Sequence, residues 1–139
     1  MLLMRHGNIP IESSLVSNKM LQYTPDLSTH PFPVYLRFGI PMCLNTDDPG
    51  AWDATLTDEF FLAATLYRLR WSEIVNLAEN SLRYAFTGKA MTADLLTRFH
   101  NDLSTFEEYA SNNKLQATPV RSQSGFAKTY LLLENQSVP

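Results

Sequence analysis

A five-residue apolar run, Ile40-Pro41-Met42-Cys43-Leu44, breaks off at Asn45-Thr46-Asp47-Asp48-Pro49-Gly50 and constrains this chain more than any other stretch. A short apolar run bounded by a glycine, here Gly39, and by an Asp-Pro-Gly turn reads as a buried strand, placed at 40–45. Residues 9–18, Ile-Pro-Ile-Glu-Ser-Ser-Leu-Val-Ser-Asn, offer a second strand. Ile9, Ile11, Ser13 and Leu15 fall on one side of it, and Pro10 limits pairing near its start. Between the two, residues 23–33 carry three prolines with Asp26, Ser28 and Thr29, which makes a loop with room for one turn of helix.

Three amphipathic segments follow. Thr57 can accept bonds from the free amides of a helix start, and Asp58 and Glu59 suit the positive end of its dipole. That helix is expected to run to about Arg70, with Phe60, Ala63, Ala64 and Tyr67 on one face. Ser72 caps a second, in which Ile74, Leu77, Ala78, Ser81, Leu82 and Ala85 recur at helical spacing, and Gly88 stands where a left-handed residue commonly ends a helix. A third begins at Thr92 or Ala93 and carries Leu96, Phe99, Leu103, Phe106 and Ala110. The chain is therefore α/β and mostly helical after residue 56. From Ser111 it turns polar, with Tyr130-Leu131-Leu132-Leu133 as its later apolar cluster, so the division expected is 1–110 and a tail, 111–139.

Composition narrows the function classes. With 139 residues, 45% hydrophobic and 18% charged, the chain suits one domain or a piece of one. Eleven basic and fourteen acidic residues give 11 − 14 = −3, and no basic block marks a nucleic-acid surface. No apolar run approaches the roughly 20 residues that cross a bilayer, so no membrane partner is expected. Arg5 and His6 interrupt Met1-Leu2-Leu3-Met4 before a signal-peptide core could form. The single cysteine, Cys43, excludes an internal disulfide and fits a reducing compartment, and its apolar neighbours make it a small buried hydrophobe. These features predict a cytoplasmic chain.

Asn45-Thr46-Asp47-Asp48-Pro49 is the one constellation that asks for chemistry. Two carboxylates at a strand end can hold a metal and bind a polar ligand, since strand ends are where sites of α/β proteins accumulate. Adjacent side chains of an extended strand point to opposite faces, so both reach one site only if the backbone leaves extended geometry there. The bland alternative is a turn, for which Asp-Asp-Pro-Gly is common composition. His6, His30 and His100 show no metal-ligand spacing and suit surface or helix-packing roles. Neither a phosphate-binding glycine loop nor a Gly-x-Ser-x-Gly setting occurs.

Leu44-Asn-Thr-Asp-Asp-Pro49 resembles the signature that ends the last barrel strand in the adenosine deaminase family. Further features fall in the same order. Ile9-Pro-Ile-Glu12 with Ser17-Asn18 resembles the preceding strand, His30-Pro31 the pair opening the intervening helix, and Gly39-Ile-Pro41 the lead-in to the last strand. Leu56 with Glu59-Phe60, then Asn80-Ser-Leu-Arg-Tyr-Ala-Phe86, are similar to the closing helices, so the likeness spans about residues 1–86. It implies the C-terminal part of a (β/α)8 TIM barrel, with the last two strands and their helices, from an enzyme that removes ammonia hydrolytically from C6 of a purine nucleoside or nucleobase. Asp47 matches the zinc ligand of the last strand. Asp48 matches the catalytic, substrate-binding carboxylate that hydrogen-bonds a purine ring nitrogen. The family's His-x-His, His-Ala-Gly-Glu and Gly-His-Gly motifs have no counterpart here, and Ser14-Leu15 stands where the family has Cys-Pro. A barrel needs about 250 residues, so the resemblance implies a truncated or split gene product, inactive alone. Its expected partner is the N-terminal part of the barrel or a second copy of itself. A non-catalytic remnant acting as a helical interaction module, or an unrelated helical protein, are the alternatives.

Overall fold

The computed structural model describes residues 1–113. The expected tail, including Tyr130–Leu133, lies outside the described residues except for its first three positions. Two strands, β1 (Ile11–Ser13) and β2 (Met42–Leu44), pair in parallel with Ile11 opposite Met42, Glu12 opposite Cys43 and Ser13 opposite Leu44. Parallel neighbours need a crossover, and here it comprises α2 (Leu15–Met20), a 3-10 turn (Leu27–Thr29) and α3 (Phe32–Arg37). A short helix, α1 (Leu2–His6), precedes β1. After β2 come α4 (Pro49–Trp52), α5 (Leu56–Tyr67), α6 (Trp71–Arg83) and α7 (Lys89–Asn113).

The second half of the expected first strand is a helix. Leu15 and Val16 are both fully buried, and their amides are taken by a carboxylate from α5, which holds the chain in a helical turn that local sequence does not call for. The buried strand expected at 40–45 is present over Met42–Leu44. Ile40 instead donates its N–H to the Tyr35 carbonyl and closes the turn at Gly39, whose φ is +68°.

The three later helices occur where periodicity puts them, with shifted ends. Thr55, not Thr57, caps α5: its hydroxyl accepts the Asp58 N–H (3.3 Å), and the Asp58 carboxylate accepts the Thr55 N–H (2.8 Å). Ser72 lies inside α6, which starts one residue earlier because Glu73 reaches back to the Arg70 N–H (2.8 Å). α6 ends at Arg83, and Gly88 does not stop it. The Gly88 carbonyl accepts the Thr92 N–H (3.0 Å) and so opens α7.

Leu15, Phe32, Met42, Leu44, Leu62 and Leu77 bring α2, α3, β2, α5 and α6 into one core. Phe32 stacks on Tyr67 (centroids 5.3 Å apart), and the Tyr67 hydroxyl donates to the Leu27 carbonyl at 2.8 Å. Asn80, buried on α6, donates to the Met42 carbonyl at 2.9 Å. Because the Pro41 carbonyl faces β1, where it accepts the Ile11 N–H, alternation turns that of Met42 to the opposite edge of β2. Asn80 thus satisfies an edge acceptor that β1 cannot reach. The core lies on the helix side of the two strands, and the ends of those strands carry the polar groups.

Candidate functional site

β2 ends at Leu44, and the next residues abandon extended geometry. Asn45 still pairs, donating its N–H to the Ser13 carbonyl (2.9 Å). Its side-chain oxygen then accepts the Asp47 N–H (3.0 Å), and Asp47 takes φ +58°. Asp is among the few residues that tolerate this left-handed region, at a cost of order 1 kcal/mol. The bend ends the alternation of faces, which is the condition for two adjacent carboxylates to serve one site.

Asp47 is exposed but not unsupported. Ser17 on α2, 1% exposed, donates its hydroxyl to Asp47 Oδ2 at 2.7 Å. Glu12 of β1 holds the other side of the turn by accepting from Asn45 Nδ2 at 3.3 Å. Asp48 is exposed and precedes α4, its carbonyl accepting the N–H groups of Ala51 and Trp52 while its side chain makes no cap bond. One carboxylate is oriented and its neighbour is left available.

Beside this turn, Pro10, Glu12, Cys43, Asn45, Tyr84 and Phe86 line a cleft of about 540 Å³. Cys43 is buried as expected, and burial together with the Glu12 charge pushes its thiol pKa up, which suits packing and not nucleophilic attack. A smaller cleft of about 150 Å³ between α3 and the end of α5, lined by Arg37, Arg68, Arg70 and Glu73, contains none of the Asp47 network.

The histidines remain apart. His6 is exposed on α1, and His100 is exposed on α7, 3.7 Å from Glu79. His30 is buried, and desolvation holds its pKa down. Its Nδ1 accepts the Phe32 N–H at 3.0 Å, and its Nε2 lies 2.8 Å from the Asn18 side-chain amide. This pairing ties the end of α2 to the start of α3. Sequence reading singled out Asp47 and Asp48 but gave no role to Ser17, Asn45 or Glu12; the Ser17-Asn18 pair was the available signal.

A parallel strand–helix–strand unit with carboxylates at the end of its second strand defines an α/β protein of the kind that builds its site at strand ends. Residues 1–101 match the family model described as adenosine deaminase, and the chain belongs to that family. The adenosine deaminase of Yersinia enterocolitica is 34% identical over 94 residues, covering 68% of this chain and 28% of that protein. Human N6-methyl-AMP deaminase is 29% identical over 97 residues, 70% of this chain and 27% of that protein. Among solved structures, the adenine deaminase of Arthrobacter aurescens superposes with a TM-score of 0.68 at 27% identity, over 74% of this chain and 32% of that one. The N6-mAMP deaminase of Arabidopsis gives 0.66 at 26% identity, over 70% and 29%. The chain therefore spans about a quarter to a third of the length of these relatives.

Proposed function

We propose that this chain supplies the last two strands and closing helices of a (β/α)8 barrel that removes the amino group from C6 of a purine by hydrolysis, with zinc as its metal. The observation that carries the reading is Asp47, bent into the left-handed region at the end of β2 with one carboxylate oxygen held by the buried Ser17 hydroxyl. In this reading Asp47 is a zinc ligand and Asp48 binds the purine ring. The substrate is a purine nucleoside, nucleotide or base, since the relatives are named for adenosine, adenine and N6-methyl-AMP.

The donor chemistry of Asp47 fits a metal, because Ser17 occupies Oδ2 and leaves the second oxygen and the negative charge for a cation. It fits as one ligand of a set. No group of three or more His, Cys, Asp or Glu side chains that could hold a metal occurs among the described residues. When bound, zinc makes a water nucleophilic near neutral pH. This chain's part is to keep Asp47 oriented and to hold Asp48 at the ring, where its charge stabilises a proton gained on a ring nitrogen.

The test is metal content beside turnover in the enzyme assembled with the remaining barrel strands. Asp47→Ala should lose zinc and activity together. Asp48→Asn should keep zinc and slow turnover roughly ten- to a hundredfold, the range for losing one charged hydrogen bond of about 1.5–3 kcal/mol. The 139-residue chain alone, with zinc supplied, should release no ammonia from adenosine. If Asp48→Asn strips the metal and Asp47→Ala retains it, the two roles are exchanged. If neither changes metal or rate, the pair is only a turn.

A further inference from the structure

Glu59 belongs to α5, yet its carboxylate is used elsewhere. Oε2 accepts the Leu15 N–H at 2.8 Å and Oε1 the Val16 N–H at 3.1 Å, across more than forty residues of sequence. The residue is 0% exposed, so no water competes for those oxygens. Ser14, at the N-cap of α2, makes no side-chain cap bond. Glu59 therefore fills the place of a capping residue, satisfying two of the amides that a helix start leaves open.

The next residue after Val16 is Ser17, whose hydroxyl holds Asp47 Oδ2 at 2.7 Å. At about 1.5 Å of rise per residue, little slack separates the pinned amides from that hydroxyl. Asp47 in turn leads through α4 into α5 and back to Glu59. The chain thus forms a closed circuit: strand end, α4, α5, Glu59, start of α2, Ser17, strand end.

We propose that Glu59 is a positioning residue for Asp47, fixing α2 by its two amide bonds and thereby setting the Ser17 hydroxyl that orients the Asp47 carboxylate. The proposal rests on the reading of Asp47 as a site carboxylate. It needs both Glu59 oxygens as acceptors, because two N–H groups face them, so the clamp is complete in the ionised form and is tested above pH 7. A glutamine offers one acceptor and turns an NH₂ toward the other amide, which undoes half of the clamp.

The experiment uses the full-length chain labelled with ¹³C at aspartate side-chain carboxyls, observed by NMR in solution or in the sedimented state, beside amide hydrogen exchange of α2. Asp47→Asn identifies the signal, and Ser17→Ala gives the shift caused by loss of the hydroxyl bond. Glu59→Gln should move the Asp47 signal in the direction of Ser17→Ala, and the double variant should move it no further than Ser17→Ala alone. Exchange over residues 15–20 should speed up about tenfold, as for loss of a cap. Glu73→Gln, which alters the carboxylate that caps the start of α6 by accepting the Arg70 N–H, should leave the Asp47 signal unmoved. Glu59→Asp keeps both acceptors on a shorter arm and should fall between wild type and Glu59→Gln. An Asp47 signal that stays at the wild-type position in a folded Glu59→Gln chain overturns the proposal. So does unfolding of both Glu59 variants, which would make Glu59 a requirement of the whole fold. The readout needs neither zinc nor turnover, so the circuit and the deaminase reading can fail separately.

Discussion

At Glu59 the protein interior and two backbone amides pull in opposite directions. Burial favours the neutral acid, the Val16 and Leu15 N–H groups favour the carboxylate, and the nearby charge of Asp58 opposes ionisation again. Burial prevails, and the pKa rises from 4.5 to about 7. Between those values the folded chain keeps a proton that the unfolded chain has released. The resulting contribution is complete below pH 4.5 and is lost as pH rises through 7, and at about 1.4 kcal/mol per pH unit it amounts to about 3.5 kcal/mol. His30 acts in the opposite sense: its pKa is lowered, so its contribution is present above the unfolded value near 6.5 and lost as pH falls. Comparing urea midpoints of wild type and Glu59→Gln from pH 5 to 8 isolates the glutamate. The wild type should lose stability relative to the variant as pH rises, and parallel curves would show that Glu59 does not titrate there. The same residue explains what sequence could and could not reveal about the site. Asp47 and Asp48 were legible because a strand-end motif is local, occupying six consecutive residues. Ser17 and Glu59 reach that motif from 30 residues before it and from the following helix, and no spacing rule links them to it.

Elements follow the same division. α5, α6 and α7 were legible because 3.6-residue periodicity runs along each, and only their ends moved. α5 begins where a reciprocal pair forms, Thr55 with Asp58, in place of the nearest hydroxyl residue. Thr55→Ala should therefore cost about 1 kcal/mol, read as a lowered melting midpoint with unchanged helix content, whereas Thr57→Ala should change it by only a few tenths. Equal effects would show that the capping pair is not what starts α5. α2 was illegible for the opposite reason. Ile9, Ile11, Ser13 and Leu15 alternate as in a strand, but Glu59 caps the chain from Leu15 onward as a helix, and Leu15 and Val16 both reach the core. Tertiary contact overrides local preference there.

At the scale of the whole molecule, the described residues cover one side of the strands better than the other. α6 and α5 pack on β2, while among the described residues β1 pairs with no strand other than β2. A parallel pair is ordinarily buried within a larger sheet. Phe86, beside the cleft that Glu12 and Cys43 line, is wholly exposed, and Leu3 is 85% exposed. The indole N–H of Trp52 is buried without a hydrogen-bond partner among the described residues, a cost of about 1–3 kcal/mol that an added acceptor would remove. Unpaired strand edges and clustered apolar surface both favour association. The 15.8 kDa chain should therefore run in size-exclusion light scattering as dimers or larger species. Phe86→Ser should shift that distribution toward monomer, because it removes the most exposed aromatic ring from the cleft. Supplying the remaining barrel strands in trans should shift it further, since they would pair the edges as well as cover the ring. A sharp monomer peak for the wild-type chain, with a cooperative melt, would show that the described surfaces need no cover. That result would also remove the argument that this segment is shaped to dock against the rest of a barrel.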